Sequence, residues 1–183
     1  MKIFQRPHIL SHAKDSEYLA LNWKHIDQAV SIWVNAIQTL PEFDTILVMV
    51  RGGLIPATVL SHRLKVRQMK FFQGRRTASD VPHDYCSFSI ISLPDIREKE
   101  RVLIVEDIVY RGETIAKAIE YVKSTGGAIA AICTLVLDEE YEDKLKNSDL
   151  LLIPAYQCTA GKWIRFPWEK PLQDEIVPEV IND

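Results

Sequence analysis

The stretch Val102–Ile115 reads VLIVEDIVYRGETI and changes character in its middle. Arg101–Val105 (RVLIV) has the length and apolar content of a buried strand. Two carboxylates, Glu106 and Asp107, stand where that run stops. Gly112 and Thr114 follow at the start of a helix spanning Thr114–Thr125. Ile115, Ala118, Ile119 and Val122 lie on one face of this helix, and Gly126-Gly127 stops it. The first N–H groups of a helix and the positive end of its dipole attract anions. A glycine there lets the backbone approach a phosphate, and the Thr114 hydroxyl can add a hydrogen bond. Paired carboxylates suit a sugar diol or a hard cation such as Mg²⁺. A solvated acidic turn ahead of a capped helix would use the same residue types, so the stretch alone leaves both readings open.

Working outward, strand and helix signals alternate. Ile26, Val30, Trp33, Val34 and Ile37 fall on one helical face, and Pro41 closes that segment. Thr45–Val50 (TILVMV) is a strand, Pro56–Leu64 a short helix and Val66–Phe72 a second strand. After the third strand and its helix come Ala131–Leu137 and Asp149–Ile153. Apolar strands separated by helices predict an α/β fold. The expectation is a doubly wound, mostly parallel five-stranded sheet with helices on both faces. Ligands of such sheets sit beyond the carboxyl ends of the strands, where the strand order reverses. The segments following strands are therefore the ones to read.

The other informative segment follows the first strand: Val50-Arg51-Gly52-Gly53-Leu54-Ile55-Pro56-Ala57. One guanidinium and two glycines can hold a diphosphate through charge and bare amides. A tight turn with a surface arginine is the other reading. No GxxxxGK[ST] and no GxGxxG occurs.

The chain has 183 residues, enough for one domain with its own core, and a net charge of −3 with pI about 6.0. That charge gives no general attraction to nucleic acid or anionic membranes. No apolar run approaches the about 20 residues of a membrane span. Cys86, Cys133 and Cys158 lack metal-binding spacing and fit a reducing cytoplasm. The N-terminus lacks the apolar segment of a secretory signal.

With these residues in view, VLIVEDIVYRGETI resembles the phosphoribosyl-pyrophosphate (PRPP) motif of type I phosphoribosyltransferases: apolar residues, two acids, two apolar residues, then a phosphate loop with Gly and Thr. The loop at Arg51 to Ala57 is similar to the pyrophosphate loop of the xanthine-guanine and hypoxanthine branch. Lys162–Glu169 (KWIRFPWE) resembles the segment closing the base pocket there. The likeness runs from about residue 20 to about residue 170. It implies a domain over 21–170, with a small base-binding hood contributed near 21–40 and 155–170. An N-terminal arm (1–20) and a tail (171–183) lie outside it.

The resemblance implies transfer of ribose 5-phosphate from PRPP to a purine-like base, with Mg²⁺, release of pyrophosphate and formation of a nucleoside 5′-monophosphate. It implies a homo-oligomer, dimer or tetramer. Glu106 and Asp107 would hold the ribose hydroxyls or the metal, and Tyr110, Arg111, Gly112, Glu113 and Thr114 would wrap the 5′-phosphate. Arg51, Gly52 and Gly53 would face pyrophosphate. Asp138, Trp163 and Ile164 would meet the base, with Trp163 stacking on it, whereas Trp168 reads as packing. The stretch 73–98 would be a mobile lid, in which Gly74, Arg75 and Arg76 bring charge to the phosphates.

Two positions depart from the purine-branch pattern. Tyr110 stands where that branch usually has the aspartate that acts on the base, so Tyr110 joins Glu106 and Asp107 as a catalytic candidate. Leu137-Asp138-Glu139 stands where a lysine usually donates to a 6-oxo group. The competing expectation is a PRPP- or nucleotide-sensing regulator on the same fold.

Overall fold

A computed structural model of the chain describes residues 2–3, 7–9, 18–77, 85–138, 149–158 and 163–169. In chain order the elements are β1 (Lys2–Ile3), β2 (His8–Ile9), β3 (Tyr18–Ala20), α1 (Trp23–Ile37), β4 (Thr45–Val50) and α2 (Leu54–Leu64). Then follow β5 (Met69–Thr77), β6 (Tyr85–Ser92), β7 (Arg101–Val109), α3 (Glu113–Ser124), β8 (Ala128–Asp138), β9 (Leu151–Cys158) and β10 (Trp163–Arg165).

The main sheet runs β1-β9-β8-β7-β4-β5-β6, with β2 also on β9. All its pairings are parallel except β5 with β6. The sheet has eight strands where the sequence reading expects five. The additional ones are two-residue pieces of the N-terminal segment added to β9, and β6, which folds back on β5. Short polar-flanked pieces carry no periodicity of their own; they become strands because β9 and β5 present unpaired edges. Of the N-terminal stretch, Lys2–Ile3 and His8–Ile9 thus add two short parallel strands to β9. β3 and β10 form a separate parallel pair.

Helices cover both faces. On one, α1 and α2 bury Ile26, Val30, Trp33, Ala57 and Leu60 against Ile46, Val48, Leu103, Val105 and Leu135. On the other, α3 buries Ile115, Ala118 and Val122 against Leu47, Met49, Phe72, Ile104 and Ile132. Most of the segment 21–40 is therefore α1, with one face in the core. Asn22 and His25 cap its start, each side chain accepting the other's backbone N–H at 3.0 Å. The Tyr156 hydroxyl then donates to the His25 carbonyl at 2.9 Å, fastening α1 to β9.

At the amino ends of β4, β5 and β7 sits a polar clamp. Glu100 is 4% exposed. Its carboxylate accepts from Thr45 Oγ1 at 2.6 Å, Lys70 Nζ at 2.7 Å and the Arg97 N–H at 2.8 Å. Burial pushes its pKa up, but these hydrogen bonds and the Lys70 charge outweigh burial and bring it down to about 2.

Candidate functional site

β4 and β7 are neighbours in the sheet, yet their outgoing helices leave on opposite faces: α2 from β4 and α3 from β7. This is the reversal point of the strand order. The turn after β4, Arg51 to Gly53, and the turn after β7, Tyr110 to Gly112, open side by side at the carboxyl ends of both strands. Tertiary structure thus joins the two segments singled out in the sequence.

Their contact is close at Gly52. A Cβ on Gly52 would lie 1.8 Å from Asp107 Oδ2 and 2.1 Å from its Cγ, so the Asp107 carboxylate occupies the space a side chain would need. Gly53 is constrained by backbone instead: a Cβ there would meet the Val105 carbonyl oxygen at 2.6 Å and that of Met49 at 2.7 Å. The Gly53 N–H donates to the Met49 carbonyl at 2.9 Å, and the Leu54 N–H to Arg51 at 3.1 Å. The sequence reading offered Gly53 as a bare amide for pyrophosphate. Here that amide donates within the turn, and the carbonyls of Val105 and Met49 leave no room for a side chain.

β7 runs four residues beyond its expected end at Val105, so Glu106 and Asp107 belong to the strand terminus. Glu106 is 8% exposed and Asp107 half-buried. The Asp107 N–H donates to Glu106 Oε1 at 3.1 Å, and the Ile108 N–H to Asp107 Oδ1 at 2.8 Å. Burial first, and then the adjacent Asp107 charge, lift the Glu106 carboxyl well above its ordinary range. Burial also raises Asp107, while hydrogen bonds from Glu106 and from backbone N–H groups and the Arg51 charge pull it back.

A carboxyl with a raised folded-state pKa favours folding most at acidic pH. That contribution is lost as pH rises through the folded value. Glu106→Gln removes the charge that burial resists. Its melting temperature is expected to exceed that of the natural protein at pH 7 to 8, with the difference closing as pH falls toward 4; thermal melts across that range check it.

Sequence reasoning did not single out Thr134. It is fully buried on β8, in register with Glu106, and its hydroxyl lies 3.0 Å from the Val136 carbonyl and 3.4 Å from that of Asp107. A lone hydroxyl within the apolar run AICTLVL was the available signal.

Gly112 takes a left-handed conformation (φ 70°) at the start of α3, which explains glycine there. The first-turn N–H groups of a helix have no carbonyl one turn earlier within it, which makes such a terminus suited to anions. Tyr110 is half-buried with the Arg111 guanidinium 5.9 Å from its ring centre, and Glu113 lies in the first helical turn.

Asp138 ends β8, 1% exposed, in register with Cys158 of β9. Trp163 opens β10, half-buried. Ile164 is 5% exposed in the α1-side core. Phe166 stacks on Trp168 with ring centres 4.8 Å apart and planes 2° from parallel, in keeping with a packing role for Trp168. Strand alternation puts Arg75 on the α2 face of β5 and Gly74 on the α3 face. Arg76 belongs to β5; its side chain lies outside the described residues, as do Glu139 and Lys162.

Two neighbouring carboxylates whose ionisation is resisted by burial fit one divalent cation, which would relieve their repulsion. Among the described residues no cluster of three or more His, Cys, Asp or Glu forms. Glu106 and Asp107 could hold such a cation, since Mg²⁺ takes as few as one or two protein carboxylates.

An acid pair and two glycine-bearing turns thus meet at the reversal point of a doubly wound sheet, where ligands of such sheets bind. The chain belongs to the phosphoribosyl transferase domain family, whose profile matches residues 24–175. It is 29% identical over 114 residues to an orotate phosphoribosyltransferase of Archaeoglobus fulgidus, a match covering 60% of each chain. The chain therefore spans about three fifths of that curated relative. It is similar to the crystal structure of a purine phosphoribosyltransferase from Pyrococcus horikoshii, at 27% identity and a TM-score of 0.65, over 87% of this chain and 100% of that one. A Helicobacter pylori xanthine-guanine-hypoxanthine phosphoribosyltransferase shares the fold, at 14% identity and a TM-score of 0.61, over 83% of this chain and 94% of that one. Among the described residues no helix is long and apolar enough to cross a membrane.

Proposed function

We propose that the chain is a phosphoribosyltransferase that joins a purine-like base to C1 of PRPP and releases pyrophosphate. The observation that supports this reading is the Gly52–Asp107 contact, which brings the Arg51–Gly53 turn against the acid pair. In the reaction the C1–O bond to pyrophosphate breaks, its electron pair leaving with pyrophosphate. A base nitrogen supplies the pair for the new C1–N bond, and its proton passes to solvent. Charge separates between the ribose ring and the leaving group, so catalysis consists of holding both in place and excluding water. Arg51 and the Gly52 backbone hold the leaving group. Glu106 and Asp107 hold the ribose hydroxyls, and the first turn of α3 with Thr114 holds the 5′-phosphate. A bound Mg²⁺, held by Glu106 and Asp107, would supply positive charge for the pyrophosphate.

The full-length likeness to a purine phosphoribosyltransferase supports a purine-like base. So does Asp138, an acceptor at the base end that favours an exocyclic amine or ring N–H over the carboxylate of orotate. The curated relatives favour orotate as a second reading. Pyrophosphate release from PRPP and Mg²⁺ with adenine, guanine, hypoxanthine, xanthine and orotate decides between them. Guanine, whose exocyclic 2-amino group can donate to Asp138, is expected to outperform hypoxanthine and xanthine, which share its 6-oxo group but lack that amine. Orotate as the best substrate would overturn the purine assignment. No release with any base, together with a PRPP-dependent rise in melting temperature, would favour the sensing alternative. Asp107→Asn is expected to weaken PRPP binding by about 1.5–3 kcal/mol, the scale of a charged hydrogen bond.

A further inference from the structure

The sheet is interrupted at the level of the acid pair. β7 and β8 pair Glu106 with Thr134 and then Ile108 with Val136; among the described residues no Asp107–Leu135 pair lies between them. The next ladder breaks at the same level. β8 and β9 pair Thr134 with Pro154 and then Val136 with Tyr156, passing over Leu135 and Ala155. Pro154 has no N–H to give to a ladder. Local breaks in a ladder bend a strand and re-aim its side chains, often beside functional sites. At this one the Asp107 N–H donates to Glu106 Oε1 at 3.1 Å and the Ile108 N–H to Asp107 Oδ1 at 2.8 Å.

A side chain reaches across the break. Thr134 is fully buried, and its hydroxyl lies 3.0 Å from the Val136 carbonyl on its own strand and 3.4 Å from the Asp107 carbonyl on β7. A hydroxyl has one proton to donate, so it serves these two acceptors in turn. Threonine is stiff about χ1, which keeps the hydroxyl between them. The carbonyl it meets belongs to the residue whose carboxylate fills the space over Gly52. Turning that peptide moves the carboxylate with it. We propose that Thr134 is a positioning residue: its hydroxyl bridges the ladder break, fixes the Asp107 main chain and so sets the Asp107 carboxylate against the Arg51–Gly53 turn. It acts through Asp107 and touches no substrate. The inference rests on the phosphoribosyltransferase reading of the site.

The experiment is a double-mutant cycle on the full chain. Steady-state kinetics are measured with Mg²⁺ and the best base of the panel above, varying PRPP and base separately. Thr134→Val keeps the shape of the side chain and removes the hydroxyl. It should lower kcat/KM for PRPP by about fivefold or more, the scale of one hydrogen bond, with a smaller change in KM for the base. Thr134→Ser keeps the hydroxyl and should restore natural kinetics. Gly52→Ala displaces the same carboxylate, so adding Thr134→Val to it should cost less than about twofold. Should Thr134→Val not fold, Thr134→Ala takes its place in the cycle. Natural kinetics without the hydroxyl, an equal loss in Thr134→Ser, or the full cost retained beside Gly52→Ala would each overturn the positioning role and leave the phosphoribosyltransferase reading intact. If the natural protein releases no pyrophosphate with any base, the enzyme reading fails, and the PRPP-dependent melting shift then decides: a smaller shift in Thr134→Val than in Thr134→Ser supports the role, and equal shifts overturn it. No melting shift with PRPP in the natural protein would overturn both.

Discussion

Replacing Gly52 with alanine is expected to lower kcat/KM for PRPP by about 100-fold or more, the scale of an ångström-sized misplacement at a reacting site. The added methyl falls on the Asp107 carboxylate, 1.8 Å from Oδ2. Either Asp107 swings away or the Arg51–Gly53 turn lifts, and both separate the diphosphate side of the site from the acid pair. The obstacle is the end of a side chain, so the fold survives and the melting temperature should change little. Gly53→Ala supplies the contrast. Its methyl meets the carbonyl oxygens of Val105 and Met49, which cannot rotate away without breaking the sheet. That variant should lose stability first and activity as a consequence. Steady-state kinetics and thermal melts on the two purified variants separate these lesions. A Gly52→Ala enzyme of natural activity would mean that Asp107 has no fixed position in catalysis.

Glu100→Ala is expected to destabilise the fold by about 3 kcal/mol, the lower end for breaking a buried ion pair. For a chain of this size that is a drop of roughly 6–12 °C in melting temperature. The loss leaves the Lys70 ammonium and the Thr45 hydroxyl without the carboxylate that binds them at 2.7 and 2.6 Å. The pH dependence has a definite sign. The folded-state pKa is lowered from 4.5 to about 2, so the carboxylate's contribution is fully present above about pH 4.5 and is lost as pH falls through about 2. The difference in stability between natural and variant protein should hold from pH 7 to pH 5 and shrink below 4.5. Denaturant melts at pH 7, 4 and 2.5 test this. A constant difference over that range would show that packing, not the ionised carboxylate, accounts for the loss. The clamp lies at the amino ends of the strands, away from the candidate site at their carboxyl ends, so residual activity per folded molecule should be unchanged.

Much of this protein is legible in its sequence because its signals are local. The face of α1 at Ile26, Val30, Trp33 and Ile37, the central strand at Thr45–Val50, and the strand–acid pair–glycine–helix order of Val102 to Thr125 each follow from periodicity or turn chemistry within a dozen or so residues. They determine an α/β sheet and nominate both turns of the candidate site. Strand lengths and edges are a different matter. β7 continues through Glu106 and Asp107 because β8 pairs alongside it as far as Val109, and β1 and β2 exist because β9 offers an edge. Hydrogen bonding to a distant partner sets these limits, and no local pattern records it. The tertiary structure alone decided that Asp107 fills the space over Gly52 and that a side chain at Gly53 would meet the Val105 carbonyl. These contacts join segments more than ten residues apart, and in each the deciding quantity is a distance across the sheet.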